Sequence, residues 1–111
     1  MKNELEAQCI PCNIAIPPLN EEQIIELLKT IDSNWKLNEK GYLEKEFSFK
    51  NFKETMDFAN KVTVIAEQEG HHPDFYITWG KCITTIWTHK INSLTKNDFI
   101  LAAKIDSLTW S

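Results

Sequence analysis

The stretch that decides the fold runs from Phe75 to His89 and reads FYITWGKCITTIWTH. Aromatic and β-branched residues, which favour strands, fill both halves of the stretch, and Gly80 interrupts them as a turn residue does. This pattern predicts one strand over residues 75–79 and a second over residues 81–89. Two strands joined by so short a bend pair antiparallel, so the stretch predicts a β-hairpin.

A second hairpin precedes the first in the chain. Residues 35–37 and 42–49 flank a polar turn that ends in Gly41, and the later run alternates between apolar and polar positions. Leu43 and Phe47 fall on one side of that run, and glutamates fall on the other. The alternation predicts a strand with one buried face.

Three amphipathic helices surround the two hairpins. Each begins after a capping residue, Asn20, Asn51 or Thr95, that is followed three positions later by Gln, Glu or Asp, which is the spacing of a capping box. We expect the first helix to span about 13 residues, judged from its helical apolar spacing. The second should end at Gly70 and the third near Ser107.

The predicted order is therefore α-β-β-α-β-β-α, which belongs to the α+β class. Two hairpins and three amphipathic helices favour a four-stranded antiparallel sheet covered on one face by three helices. Residues 1–18 have no periodicity and are expected to form an extended N-terminal arm, with residues 19–111 as a single domain. Cys9 and Cys12 in that arm have the C-x-x-C spacing of redox dithiols and half zinc sites, which is an alternative to a plain arm.

Composition excludes several classes of protein. A chain of 111 residues holds one core and is too short for two. Its net charge of −4 argues against a direct partner that is nucleic acid or an anionic membrane. Three cysteines are an odd number, which disfavours a disulfide framework. Because no apolar run reaches the roughly 20 residues of a membrane span and the start lacks a signal-peptide stretch, we expect a cytoplasmic protein.

All three histidines lie between positions 71 and 89. His71 and His72 follow the helix-ending Gly70, and His89 ends the last predicted strand. Because His71 and His89 are each nine residues from Gly80, we expect both at the same end of the hairpin. Imidazoles exchange protons near neutral pH, so this clustering favours general acid–base catalysis. Metal binding is a weaker alternative, since adjacent histidines project in different directions, and a purely structural role in turns is another.

Two further side chains are candidates for the site. Asp98 fits a capping box with Thr95, and its carboxylate can also orient an imidazole if the helix start lies beside the histidines. Trp35 stands next to a turn and is the tryptophan that we expect to stack on a flat heterocycle. The structural alternatives are a helix cap for Asp98 and a core position for Trp35.

Together, the residues around the histidines resemble those of a known family. The segment EQEGHHPDF at 67–75, followed by Trp79, Thr88, His89 and Asp98, is similar to the signature of the pterin-4a-carbinolamine dehydratases, and the resemblance extends from about Leu19 to Ser107. It implies a cytoplasmic lyase without metal or organic cofactor. Such enzymes convert 4a-hydroxytetrahydropterin, formed when an aromatic amino acid hydroxylase uses its pterin, to quinonoid dihydropterin and water.

The resemblance also implies roles for individual residues. The implied catalytic set is His71, His72, His89 and Asp98. The implied substrate contacts are the three histidines, Pro73 and the segment Thr88, His89, Lys90 and Ile91, to which we add Trp35. Our hypothesis makes His71 and His89 the acid–base pair and His72 mainly a hydrogen-bonding partner of the pterin.

Partners follow from the same resemblance. The family is similar throughout in forming dimers through sheet edges and tetramers through helices, which implies a homodimer or homotetramer. The alternative function is a protein-binding dimerisation cofactor of a transcription factor. An unpaired edge strand suits either case because it is a template for another chain.

Overall fold

The computed structural model describes residues 17–108 and has its elements in the predicted order. The helices are α1 (Glu21–Leu28), α2 (Phe52–Glu69) and α3 (Lys96–Asp106). The strands are β1 (Lys36–Leu37), β2 (Leu43–Ser48), β3 (Asp74–Ile77) and β4 (Lys81–Ile86). The α+β class and the α-β-β-α-β-β-α order are confirmed. Cys9, Cys12 and most of the proposed arm lie outside the described residues.

The four strands form one antiparallel sheet in the order β1-β2-β4-β3. The two predicted hairpins meet along β2 and β4, where Leu43 pairs with Ile86 and Ser48 with Lys81. Strands β1 and β3 are the edges. The short β1 and the four-residue β3 leave both edges with unpaired backbone groups.

One hydrophobic core lies between the sheet and the helices. Alternate positions of β4, Cys82 and Ile86 among them, are completely buried against Phe58 of α2 and Phe99 of α3. Cys82 is a free thiol, and burial raises its pKa. Its position inside the core makes it a packing residue.

Two glycines shape the chain at opposite ends of the β3–β4 hairpin. Gly70 ends α2 with a left-handed φ of 64°, so the chain turns sharply into His71. A Cβ on Gly80 would lie 3.0 Å from the Phe49 carbonyl oxygen, so any other residue there would require the β3–β4 bend to move slightly away from the chain after β2. The last pair at the opposite end of this hairpin is Asp74 with Thr85.

Some elements are shorter than the sequence predicts. Helix α1 has eight residues, because the Thr30 hydroxyl and backbone N–H both bind the Leu27 carbonyl and tighten the chain into a turn. Strand β4 ends at Ile86, and Thr88 pairs instead with Ser93 in an isolated bridge. Within residues 17–108 no helix is long and apolar enough to cross a membrane.

Candidate active site

The buried carboxylate of Asp98 connects three segments of the chain. Its Oδ1 lies 2.6 Å from Nε2 of His71, the residue that follows the α2 cap. Its Oδ2 accepts hydrogen bonds from the Thr95 backbone N–H at 2.7 Å and from the Thr88 hydroxyl at 2.9 Å. We call His71, Thr88, Thr95 and Asp98 the Asp98 cluster.

The start of α3 explains why Asp98 occupies this place. Thr95 is the N-cap and Asp98 is the third helical residue, so the two form the capping box that the sequence predicts. The side chain of Asp98 is completely buried and that of His71 is 5 % exposed. Asp98 therefore caps the helix and binds an imidazole with one carboxylate, as its position in the sequence suggests.

The proton positions within the Asp98 cluster follow from its chemistry. An ionised carboxylate only accepts hydrogen bonds, so Nε2 of His71 carries the proton of that contact. The single hydroxyl proton of Thr88 points to Asp98, so the Thr95 hydroxyl, 2.8 Å from that of Thr88, donates to Thr88. The donor chain runs from Thr95 through Thr88 to the carboxylate.

His72 points in a different direction from His71. Its side chain is 57 % exposed, and its Nε2 lies 2.5 Å from a carboxylate oxygen of Glu67 in the last turns of α2. The two adjacent histidines are thus held by acids on different helices. His71 is fixed inside the protein, and His72 is presented at its surface.

His89 lies at the same end of the β3–β4 hairpin as His71. Its ring centroid is 4.1 Å from that of Trp87, and its Nε2 is 4.0 Å from Oδ1 of Asp74 at the start of β3. The other neighbour of Trp87 is Tyr42, stacked at 4.6 Å and nearly parallel. These rings adjoin an open cleft of about 220 Å³ whose lining includes Tyr42, Asp74 and Trp87.

The remaining predicted contacts border the Asp98 cluster. Pro73 is half-buried between His72 and β3. Lys90 and Ile91 are exposed in the turn after His89, where the Ile91 N–H donates to the Thr88 carbonyl at 3.2 Å. The His72–Pro73 segment directly follows the buried imidazole in the chain, and this turn directly follows Thr88 of the Asp98 cluster.

Trp35 is placed away from this site. It is 3 % exposed, its Nε1–H donates to Oδ2 of Asp106 at 2.8 Å, and its ring meets the edge of Phe47. Asp106 follows Asp98 by eight residues, which is about 12 Å along α3. Because the indole is buried at the far end of α3, its placement does not fit the stacking role expected from the sequence.

Metal ligation has no candidate ligand set among residues 17–108, where no three His, Cys, Asp or Glu side chains are arranged to hold an ion. His71 is bound by Asp98, His72 by Glu67, and His89 lies against Trp87. The arrangement offers one buried imidazole bound to a carboxylate, one exposed imidazole next to it in the chain, and a second exposed imidazole at the same end of the β3–β4 hairpin. Such groups move protons.

Comparison with known proteins agrees with the sequence signature. A family model described as pterin 4 alpha carbinolamine dehydratase matches residues 17–108. The chain belongs to this family.

Related sequences cover nearly the whole chain. A protein of Rickettsia canadensis (strain McKiel), provisionally named pterin-4-alpha-carbinolamine dehydratase, is 55 % identical over 102 residues, which is 92 % of this chain and 94 % of the relative. A protein of Alkaliphilus metalliredigens (strain QYMF) with the same provisional name is 44 % identical over 106 residues, covering 96 % of each chain.

Solved structures share the fold. A transcriptional coactivator/pterin dehydratase from Brucella melitensis superposes with a TM-score of 0.77 at 26 % identity, covering 82 % of this chain and 97 % of its own. A pterin dehydratase-like protein described as a RuBisCO assembly factor in the alpha-carboxysome has a TM-score of 0.56 at 20 % identity. It covers 67 % of this chain and 87 % of its own.

One feature of this family member escaped the sequence reasoning, namely the stack of Tyr42, Trp87 and His89. The signal for it lies in the pairing of Leu43 with Ile86, which sets Tyr42 opposite Trp87. The alternation within each hairpin is local, but the pairing between hairpins is not. The stack becomes visible only once β2 is known to lie beside β4.

Proposed function

We propose that this chain is a dehydratase that converts a 4a-hydroxytetrahydropterin to quinonoid dihydropterin and water by general acid–base catalysis. The observation that carries the proposal is the buried contact of 2.6 Å between Asp98 and Nε2 of His71. A carboxylate on Nε2 fixes the tautomer and leaves Nδ1 as the ring nitrogen that exchanges protons with a substrate.

The reaction requires one acid and one base. The bond from C4a to the hydroxyl oxygen breaks, the electron pair leaves with oxygen, and an imidazolium supplies the proton that makes the leaving group water. A neutral imidazole removes a proton from a ring nitrogen of the pterin. The electron pair of that N–H bond then forms the new double bond in the ring. Such acid–base assistance is worth about 10²–10⁴-fold in rate.

The positions of the histidines support a division of these tasks. His71 and His89 lie at one end of the β3–β4 hairpin, and we assign the two proton transfers to them. His72, with an exposed imidazole, is assigned to hydrogen bonding with the pterin. Pro73, Lys90 and Ile91 border these residues and are the further proposed contacts, while Trp35 is left out because it is buried elsewhere.

The cellular setting belongs to the same proposal. We place the enzyme in the cytoplasm, where it recycles the pterin of an aromatic amino acid hydroxylase without a metal or organic cofactor. The exposed edge of β3, with Tyr76 66 % exposed, supports a homodimer or homotetramer. Burial of such surface completes the core of a small domain.

A second candidate function is protein binding. The Brucella melitensis structure is named both a transcriptional coactivator and a pterin dehydratase. On α2 of this chain, Phe52 is 50 % exposed and Val64 is 58 % exposed, which are apolar side chains open to a partner. A chain that binds a transcription factor and does not accelerate dehydration would favour this alternative.

Dehydration of synthetic 4a-hydroxytetrahydropterin, followed by ultraviolet absorbance in a stopped-flow instrument, tests the proposal. We expect the wild-type chain to accelerate the reaction and His89→Ala to lose about 10²–10⁴-fold of that acceleration. Lys53→Ala, whose side chain is 84 % exposed on α2, is the control and should behave as wild type. Unimpaired turnover by His89→Ala contradicts the scheme. The same samples give the oligomeric mass by size exclusion.

A further inference from the structure

The hydroxyl of Thr88 already makes two hydrogen bonds inside the protein. It donates to Oδ2 of Asp98 at 2.9 Å and lies 2.8 Å from the Thr95 hydroxyl, which has to be the donor of that second bond. A hydroxyl has one proton, so Thr88 has none left for a substrate. This placement differs from the pterin contact that the family resemblance implies for Thr88.

We infer that Thr88 is a positioning residue, which holds the Asp98 carboxylate in the orientation that fixes His71. The inference rests on the proposed dehydratase function and deepens it. It assigns the hydroxyl proton of Thr88 to the acid–base machinery, so that Thr88 can donate no hydrogen bond to the pterin.

Thr88 is well suited to hold a carboxylate still. Its backbone N–H donates to the Ser93 carbonyl at 2.9 Å, and the two residues form an isolated bridge that anchors the chain beyond β4. Its branched Cβ restricts the first side-chain torsion, so the hydroxyl points in a defined direction. The donor is therefore fixed at both the backbone and the side chain.

The carboxylate orientation depends on both donors to Oδ2. The Thr95 N–H belongs to the helix cap and sets the distance of Asp98 from the helix start. Thr88 approaches the same oxygen from the end of the sheet, so the two bonds together fix the plane of the carboxylate. Loss of the Thr88 hydroxyl leaves one bond to Oδ2, and Oδ1 is then free to rotate away from His71.

Positioning and substrate binding have different kinetic consequences. A side chain that binds the pterin equally in ground and transition states changes KM when it is removed. A side chain that orients His71 changes kcat, because the imidazole is then misaligned only for the proton transfer. It also changes the pH profile, whereas a purely structural residue changes only thermal stability.

The test compares Thr88→Val, which keeps the shape and removes the hydroxyl, with Thr88→Ser, which keeps the hydroxyl. We expect Thr88→Val to lower kcat about 10-fold to 100-fold, the effect of one hydrogen bond to a charged group, with KM within about twofold of wild type. Thr88→Ser should restore kcat, and the pH profile of Thr88→Val should shift. If Thr88→Val does not fold, Thr88→Ala removes the same hydroxyl with less bulk.

A second readout does not require turnover. In ¹⁵N-edited NMR of the full chain, we expect the His71 Nε2–H resonance to be protected from exchange in wild type and Thr88→Ser, and to be lost or shifted in Thr88→Val. If wild type does not dehydrate the carbinolamine, the proposed function fails and the NMR comparison still decides the positioning role. Any one of four results overturns the inference. They are a raised KM with unchanged kcat in Thr88→Val, no rescue by Thr88→Ser, an unshifted pH profile, and an unaltered His71 resonance.

Discussion

Helix α3 has a carboxylate near each end, and the two carboxylates bind different kinds of hydrogen-bond donor. At the start, Asp98 contacts an imidazole, a hydroxyl and a backbone N–H. Near the end, Asp106 accepts from the Lys45 ammonium at 2.8 Å and from the Trp35 indole at 2.8 Å. We call Trp35, Lys45 and Asp106 the Asp106 cluster.

The Asp106 cluster holds two elements together through an ion pair. The side chain of Lys45 is 11 % exposed, and its ammonium also lies 3.6 Å from Asp32 and 4.7 Å from the centre of the Phe47 ring. The pKa of Asp32 is lowered, mainly because its carboxylate accepts from the Asn34 backbone N–H and to a lesser extent because Lys45 is near. These contacts hold β2 against α3.

The Asp98 cluster differs because the side chain that Asp98 binds is an imidazole. Hydroxyl and amide donors stay neutral, and an imidazole gains and loses a proton in the neutral range. The carboxylate can therefore keep its hydrogen bond while a proton arrives at or leaves Nδ1 of His71. One helix thus places the same kind of side chain against an ammonium at one end and against an imidazole at the other, and under the proposed function the second contact supports proton transfer.

Among the substitutions that test the difference between the two clusters, Asp98→Asn should have the largest effect on kcat. The amide has nearly the same shape, but its NH₂ group clashes electrostatically with one of the donors that now surround the carboxylate. We expect kcat for carbinolamine dehydration to fall about 10²–10⁴-fold, because His71 loses its fixed tautomer. The measurement is stopped-flow dehydration with thermal unfolding as a check on folding. A folded variant with kcat within twofold of wild type would remove Asp98 from the mechanism.

Asp106→Asn should instead lower stability and leave kcat nearly unchanged. We expect it to lower the free energy of unfolding by about 1–3 kcal/mol, since a buried ammonium loses one of its two carboxylates while the Trp35 indole keeps an oxygen acceptor. Urea unfolding at one fixed protein concentration measures this loss. The kcat of the folded variant should stay within about twofold of wild type. A kcat loss as large as that of Asp98→Asn would mean that the two ends of α3 do not differ in function.

Much of the site was predictable because its determinants are local. The capping box of Thr95 and Asp98 spans three residues, and Gly70 marks the end of α2 just before the histidines. These short-range rules place His71 beside a helix end and Asp98 at a helix start. The hairpin around Gly80 then brings His89 to the same end of the sheet as His71.

What the sequence did not reveal depends on contacts between distant positions. Trp35 and Asp106 are 71 residues apart, so nothing near Trp35 signals that its indole N–H is already bound. The stack of Trp87 on Tyr42 likewise depends on β2 pairing with β4 rather than on either hairpin alone. The hydrogen bonds of Thr88 to Thr95 and Asp98 likewise become visible only when the start of α3 is placed beside the end of β4.

The adjacent histidines offer the most direct test of the central claim, which is that the buried His71–Asp98 pair transfers protons during dehydration. The measurement is the stopped-flow rate of carbinolamine dehydration at saturating substrate for His71→Gln and His72→Gln beside wild type. We predict that His71→Gln loses about 10²–10⁴-fold in kcat. His72→Gln should keep kcat within about tenfold and mainly raise KM. Equal losses in the two variants, or a larger kcat loss in His72→Gln, would contradict the account.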